Sequence, residues 1–397
     1  NDDTFGGDTN NDGSNTTPAA GNWRGIFFEA NSGAPVLLNA RVAYAGNIYS
    51  AGNPSGHEQA SRLENTSATL RHVEVLNSDG NGVRMEGGNK PTLDDVHVEG
   101  ALSLPFTMDL ATDPQMTGLT ELNNGIDAIA IDGGTLPASR TWNQNTIPYI
   151  LGSRITIPAG LRLDVTQGVV VKLTNSQYIE AHGTLNAVGT LGAPVVFTSR
   201  SDDTALGDTF RNGNATTPAP GDWRSIYIDS DSVGSVLDHV DVRYAGNTYN
   251  AGNPSGFEQA IDVSGAAAVL RNTRVLNSDG TGVLIENSPA TLNQVTVDGA
   301  RGNAFVTDLP STATFTGLRA VNTGGNRVYV QSGTLPVDRV WDFSGLPAQL
   351  SGSLTIPAGR KLTLVPGTVL KLNNSAYGET DGTLDAYGTA AQPIVFT

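Results

Sequence analysis

Asp8-Thr9-Asn10-Asn11-Asp12-Gly13 is a stretch whose residue types and spacing suit a metal ion. Its D-x-N-x-D-G form sets oxygen-bearing side chains at alternate positions, and Gly13 permits the sharp turn of a calcium loop. An EF-hand would carry a bidentate Glu at the twelfth loop position, where Ala19 stands, so Asp2, Asp3 or backbone carbonyls must complete the coordination. The candidate calcium ligands are therefore Asp2, Asp3, Asp8, Asn10 and Asp12. The corresponding residues in the second half of the chain are Asp208, Phe210 and Asn212, a poorer ligand set. The competing reading is a polar turn closed by Asx hydrogen bonds.

Paired carboxylates at Asp2-Asp3, Asp94-Asp95 and Asp202-Asp203 invite a second chemistry, polysaccharide hydrolysis or lysis. That work needs two carboxyls facing one another across a substrate, and neighbours on a strand point to opposite faces. Solvated surface carboxylates are the expectation, with no catalytic residues assigned. Asp238-His239 is an acid–base pair by type, but the matching residues of the first half are neither acidic nor histidine. The histidines (His57, His72, His97, His182, His239) are scattered, and none is paired at metal spacing.

A third feature occurs twice, as AGNIYSAGNPSGHEQA and AGNTYNAGNPSGFEQA. It is long for a solenoid turn and should project as a loop. Tyr49, Asn53, Glu58 and Gln59, with Tyr249, Asn253, Glu258 and Gln259, are its candidate contact residues, toward a neighbouring chain or a surface glycan. The alternative is an Ω-loop closed by its own amides. Asn77 and Asn277 are assigned to tight turns of left-handed geometry, with a structural role only.

The elements that must carry these loops are strands. From Ile155 to Thr198 the chain reads ITIPAGLRLDVTQGVVVKLTNSQYIEAHGTLNAVGTLGAPVVFT, and it returns as LTIPAGRKLTLVPGTVLKLNNSAYGETDGTLDAYGTAAQPIVFT from Leu354 to Thr397. Leu161, Leu163 and Val165 alternate with Arg162, Asp164 and Thr166, and Val169, Val171 and Leu173 with Val170 and Lys172, the period of half-buried strands. Gly, Asn and Pro close each strand, and no 3.6-residue period is sustained. The repetition extends over the whole chain: Trp23 and Trp223, like Asn77 and Asn277, are 200 positions apart, and Trp142 and Trp341 are 199 apart.

Short strands, irregular Gly/Asn/Ser turns, a small apolar side and long-range duplication favour a solenoid over a sandwich. TIPAG, GVVVKL, GTLNAVGT and PVVFTS resemble rungs of bacterial right-handed parallel β-helix proteins, pectate-lyase-like solenoids of the large repetitive surface or secreted type. The resemblance implies fold rather than activity. The expected class is all-β, a right-handed parallel β-helix with about nine coils per repeat at about 22 residues per coil. The expected units are 1–198 and 199–397, continuous and without a flexible linker.

Composition agrees with thin stacked layers. The 397 residues are 38% hydrophobic and 16% charged, with 47 glycines and no cysteine, which excludes disulfides, thiolate metal sites and cysteine catalysis. A net charge of −16 repels nucleic acid and anionic lipid and attracts divalent cations. No apolar run is long enough to span a bilayer. The chain opens at Asn1 without Met or signal peptide and carries no recognisable cap, so the expectation is two internal units of a longer array, with head-to-tail polymerisation of the chain or removal of its caps as the alternatives. The expected function is a structural or adhesive module of an exported bacterial surface protein or extracellular filament, not an enzyme. Its partners are other copies of itself, then surface glycans, and calcium is its one cofactor. The alternative is a polysaccharide-binding or polysaccharide-degrading β-helix.

Overall fold

The computed structural model describes residues 2–13, 15–48, 58–174, 177–213, 215–247 and 258–397. Tyr49, Asn53, Tyr249 and Asn253 lie outside them. The chain is an all-β parallel solenoid, a β-helix of about 14 turns. Among the described residues there is no helix, hence none long and apolar enough to cross a membrane. They fall into two compact units. One holds Asn1–Pro137, Gln144–Gly152 and Ser201–Thr217, and the other Ala138–Asn143, Ser153–Arg200 and Pro218–Thr397.

In the first unit one ladder runs through Ile26–Phe28, Gln59–Glu64, Asn81–Glu86, Phe106–Met108, Ile129–Ile131 and Tyr149–Leu151. Beside it stack three longer strands, Val36–Ala43, Thr69–Leu76 and Thr92–Glu99. Each is bent at its middle by a residue of positive φ: Asn39 (51°), His72 (49°) and Asp95 (55°). Asn, Asp and His tolerate the left-handed region better than branched residues do, so a stack of them makes a corner. The next turn breaks at that corner into Gln115–Thr117 and Thr120–Leu122.

The second unit has three ladders. The first runs from Val170–Leu173 through Val195–Ser199 and Val240–Arg243 to Arg319–Val321. The second runs from Ile155–Ile157 through Ile179–Ala181, Ile226–Ile228 and Gln259–Ser264 to Val369–Lys371 and Val395–Phe396. The third runs from Arg140–Trp142 through Arg162–Val165, Thr184–Val188 and Val236–Asp238 to Thr314–Thr316. Two shorter ladders, ending at Gly378–Thr380 and Thr383–Ala386, complete the final turns.

Alternation places the core as expected around Leu163 and Val165, which are buried while Arg162 and Asp164 face outward. Leu163, Val171, Leu173, Leu185 and Phe197 are fully buried, each worth roughly 1.5–3 kcal/mol against exposure. The alternation does not extend to Lys172, which is fully buried although its strand position is outward. Turn count also departs from the expectation of about nine coils per repeat. Ordinary turns have the expected length: Ile129 follows its ladder partner Phe106 by 23 positions. Long insertions consume the rest, since Val240 follows Val195 by 45 positions and Ile261 follows Ile226 by 35.

Sequence repeat and coil are out of step. Val170–Leu173 and Val195–Ser199 lie on the first ladder of the second unit, yet their repeats, Val369–Lys371 and Val395–Phe396, lie on the second. One repeat is thus a whole number of turns plus one strand. Its last strand, Val195–Ser199, and the following repeat's opening strand, Ile226–Ile228, occupy neighbouring faces.

Candidate functional site

The leading loop closes on Asp8, whose carboxylate accepts the backbone N–H of Gly13 at 2.8 Å and of Asp12 at 3.1 Å. The Gly13 amide, with those of Asp12, Asn11 and Asn10, holds the Asp8 carboxyl below its ordinary value. Gly13 (φ 70°) and Asn11 (φ 58°) supply the turn. Asp3, Asp8 and Asp12 each bring one carboxylate oxygen within 4.8 Å of the others. Asp12 Oδ2 accepts from Asn10 Nδ2 (2.8 Å) and Thr16 Oγ1 (2.7 Å), while its Oδ1 is enclosed with no hydrogen-bond partner among the described residues. Three of the five residues expected to bind calcium therefore converge. Asp2 instead accepts from Thr4, and Asn10 serves as a donor. Three carboxylates with one spare oxygen are chemically suited to a hard divalent cation, whose charge would offset their repulsion.

The second copy keeps the turn and changes its use. Asp208 accepts the Gly213 N–H at 2.7 Å, as Asp8 does for Gly13, but Asn212 replaces Asp12. Arg211 stands where Asn11 does and donates to Asn123 Oδ1 (2.8 Å) and the Asn124 carbonyl (3.3 Å), with Nε 3.7 Å from Asp127. The Asp127 N–H donates to the Thr209 carbonyl at 2.8 Å. Beneath lies a carboxyl pair: burial, then the hydrogen bond and charge of Asp127, push Glu121 up to about 8. Asn124 Nδ2 donates to both carboxyls, at 3.2 and 3.3 Å. A proton shared by such a pair lets it sit under the loop without full repulsion.

Of the contact residues expected in the duplicated loop, Glu58, Gln59, Glu258 and Gln259 are described. Gln59 and Gln259 begin strands and are buried, and Gln259 Nε2 reaches Asp262 at 3.4 Å. The Glu58 carbonyl accepts the Asn81 N–H at 3.0 Å. Asn77 (φ 53°) and Asn277 (φ 56°) do take the left-handed turn geometry. Each packs its amide oxygen against a glycine one turn on: a Cβ at Gly100 would lie 2.7 Å from Asn77 Oδ1.

The carboxylate pairs are engaged individually. Asp94 binds Arg71 (2.9 Å) and Asp95 binds His72 (2.7 Å). Asp238 is held by Arg271 (2.8 Å) and Asn272 (3.0 Å), with His239 Nδ1 at 3.0 Å. His239 and Asp95 have φ of 52° and 55°, so both sit at corners, and the opposite-face rule for neighbours on a strand does not govern them. Around the first-copy corner, Phe5, Arg41, His72, Glu74, Asp95 and His97 line an open groove of about 480 Å³, with the Arg41 guanidinium 5.3 Å from the Phe5 ring centroid.

One cluster escaped motif reading. On the second ladder of the second unit, Glu180, Tyr227, Asp262 and Leu284 form a row of direct partners. Ser264 Oγ donates to Asp262 at 2.9 Å, and His182 joins Asp229 (2.8 Å) to Glu180 (3.4 Å). Burial pushes Asp262 up to about 7; the Ser264 hydroxyl opposes the shift, and the charges of Glu286, Glu258 and Asp229 add to it. Burial, then Asp229 and Asp262, also raise Tyr227. A carboxyl titrating near neutrality suits proton transfer. Asp262 is only 2% exposed, however, and a general acid must reach its substrate. Aligning the two copies gives the signal: Arg62 and Arg84 of the first copy stand where Asp262 and Leu284 do in the second.

Comparison of the chain with protein-family models, with curated proteins and with solved structures finds no match.

Proposed function

We propose that the chain is a structural, adhesive repeat module of an exported bacterial surface protein or extracellular filament, a pectate-lyase-like β-helix whose units stack end to end into a rigid rod. One observation carries this reading. The closing turn of the first copy is covered by the opening strands of the second, and Phe197 is fully buried there. Strands of both repeats thus share ladders and one buried apolar interior at this joint, the arrangement that a rod of stacked units needs. Calcium held by Asp3, Asp8 and Asp12 would stiffen the leading loop. The test is light scattering and electron microscopy of the 397-residue chain across concentration. Linear multimers are expected, and a chain that stays monomeric up to its solubility limit defeats the reading.

A second reading, a polysaccharide-binding or polysaccharide-degrading β-helix, is favoured by the groove at Phe5, Arg41 and His72. An exposed ring and a cation beside carboxylates and imidazoles suit the faces and hydroxyls of sugars. Affinity electrophoresis in neutral and acidic polysaccharide gels tests it, and unretarded migration in every gel removes it.

A further inference from the structure

We infer that Asn212 is a self-modification site: the backbone nitrogen of Gly213 attacks its side-chain amide, ammonia leaves, and water opens the resulting cyclic imide to aspartate or isoaspartate. Nothing in this chemistry depends on stacking between units.

Asparagine followed by glycine is the pair in which such a ring closes most readily, because no Cβ on the second residue crowds the attacking nitrogen. Three such pairs exist, Asn81-Gly82, Asn124-Gly125 and Asn212-Gly213. The coil holds two of them shut. The Gly82 N–H donates to the Leu104 carbonyl and the Gly125 N–H to the Ala101 carbonyl, each at 2.8 Å, and both bonds join successive turns. Asn124 is 1% exposed, and its Nδ2 is already shared among the Val98 carbonyl, Glu121 and Asp127. Around Gly82 the space is filled, since a Cβ there would lie 2.5 Å from Val98. Attack in either pair would break bonds between turns and admit water to the interior.

Asn212 differs in each respect. Gly213 is exposed, with φ 61°, and an added Cβ would meet no atom within 4 Å, so the ring and an incoming water have room. Its N–H donates to Asp208 Oδ2 at 2.7 Å, which sets a carboxylate against the proton that must leave the attacking nitrogen. Asn212 Nδ2 donates to Thr216 Oγ1 at 3.0 Å, and the same hydroxyl lies 3.4 Å from Oδ1, where negative charge collects as the nitrogen adds. As the bond from Gly213 N to Asn212 Cγ forms, the amide proton passes to Asp208. The Cγ–Nδ2 bond then breaks, and the departing ammonia takes that proton. Water adds to either imide carbonyl, so the net change is amide and water to acid and ammonia, with no oxidant or reductant.

The first copy shows that the loop accommodates the product. There Asp12 stands in place of Asn212, Asp8 Oδ2 still accepts the Gly13 N–H at 2.8 Å, and Thr16 Oγ1 donates to Asp12 Oδ2 at 2.7 Å. Conversion at Asn212 gives the second loop the acid of the first and adds a negative charge to the chain.

The 397-residue chain, held folded for weeks in mildly alkaline buffer, is then digested in heavy-oxygen water and sequenced by mass spectrometry. Heavy oxygen marks any conversion that happens during digestion. Asn212 should become aspartate and isoaspartate with matching release of ammonia, while Asn81 and Asn124 keep their amides until urea unfolds the chain. Asp208→Asn, which keeps an acceptor for the Gly213 N–H and removes the base, should slow the conversion at least roughly tenfold. An Asn212 that keeps its amide, three asparagines that convert alike in the folded chain, or an Asp208→Asn chain that converts no more slowly would each overturn the site.

Discussion

The outer rows of the two repeats occupy the same place on the same backbone and are charged in opposite ways. In the first, Arg62 reaches Glu86 (2.5 Å) and Glu64 (2.8 Å), and Arg84 reaches Glu86 (3.0 Å) and Asp132 (2.6 Å). In the second, Asp262 and Leu284 replace both arginines, while Glu286 and Asp229 keep the positions of Glu86 and Glu29. A second site reverses outright: Arg41 pairs with Glu74 in the first copy and Asp241 with Arg274 in the second, each across the same rung. Strand pairing is set by backbone hydrogen bonds and inward side chains, so the outward rows are free to diverge. The contrast teaches that the coil fixes where charge is displayed and leaves its sign to the repeat.

The largest effect separates the covered turn from the uncovered one. Phe197→Ala removes a fully buried ring and should cost about 3–5 kcal/mol in urea unfolding. Phe396→Ala, at the equivalent but half-exposed position, should cost about 1 kcal/mol or less. Equal losses in monomer stability would mean that the two turns are packed alike.

The second effect probes the missing arginines through pH. The folded-state value of Asp262 is raised from 3.8 to about 7, so the folded protein holds this proton more tightly than the unfolded chain does. That contribution is fully present below about pH 4, shrinks between 4 and 7, and is lost above 7. Asp262→Asn should therefore stabilise by on the order of 3 kcal/mol at pH 8 and change little at pH 4. Urea midpoints at the two pH values check this. Glu121, raised toward 8, titrates in an overlapping window and sets the slope that remains in the variant. An unchanged slope in Asp262→Asn would show the carboxyl to be ionised in the fold.

The reversed pair offers a smaller contrast. Arg41 and Glu74 are both about half exposed, and truncating either should cost about 0–1 kcal/mol. Asp241 is 2% exposed and held by Arg243 at 2.7 Å as well as by Arg274. Arg274→Ala leaves a buried carboxylate with one partner fewer and should cost about 1–3 kcal/mol. High salt should weaken the first pair and leave the second nearly untouched.

How much of this was legible in the sequence follows the same division. The inward rows were: Leu163, Val165, Leu173 and Phe197 are buried as their two-residue period requires, and Asn77 and Asn277 take the turn geometry their type allows. Lys172 was not, because alternation reports the face of a strand and not whether another segment covers that face. The one-face offset was also hidden, since an alignment of repeats counts residues and carries no count of strands per turn. The Asp262 cluster could have been found by comparing copies position by position; motif spacing within one copy misses it because its members come from successive coils. Of the calcium ligands, Asp3, Asp8 and Asp12 were legible together. The short turn that gives Asp2 to Thr4 is a local competition that spacing cannot decide.

The smallest effect compares the two leading loops. A cation bound only by the folded loop raises stability by RT ln(1 + [L]/Kd), about 1.4 kcal/mol at tenfold excess over Kd. Millimolar calcium should therefore lift the melting midpoint of the chain by a few degrees over chelator. Asp12→Asn places in the first loop the residue found at the same site of the second, Asn212, and removes the carboxylate that carries the spare oxygen. It should abolish the calcium-dependent shift. It should leave the chelator midpoint nearly unchanged, because Asn keeps an acceptor for Asn10 and Thr16 and the backbone bonds to Asp8 remain. The converse change, Asn212→Asp, restores the third carboxylate beside Asp203 and Asp208. If the loops differ only in that residue, it should give the second loop a calcium response of its own. A failure would place the difference in Arg211, whose cation already occupies the charge balance of the second loop through Asp127.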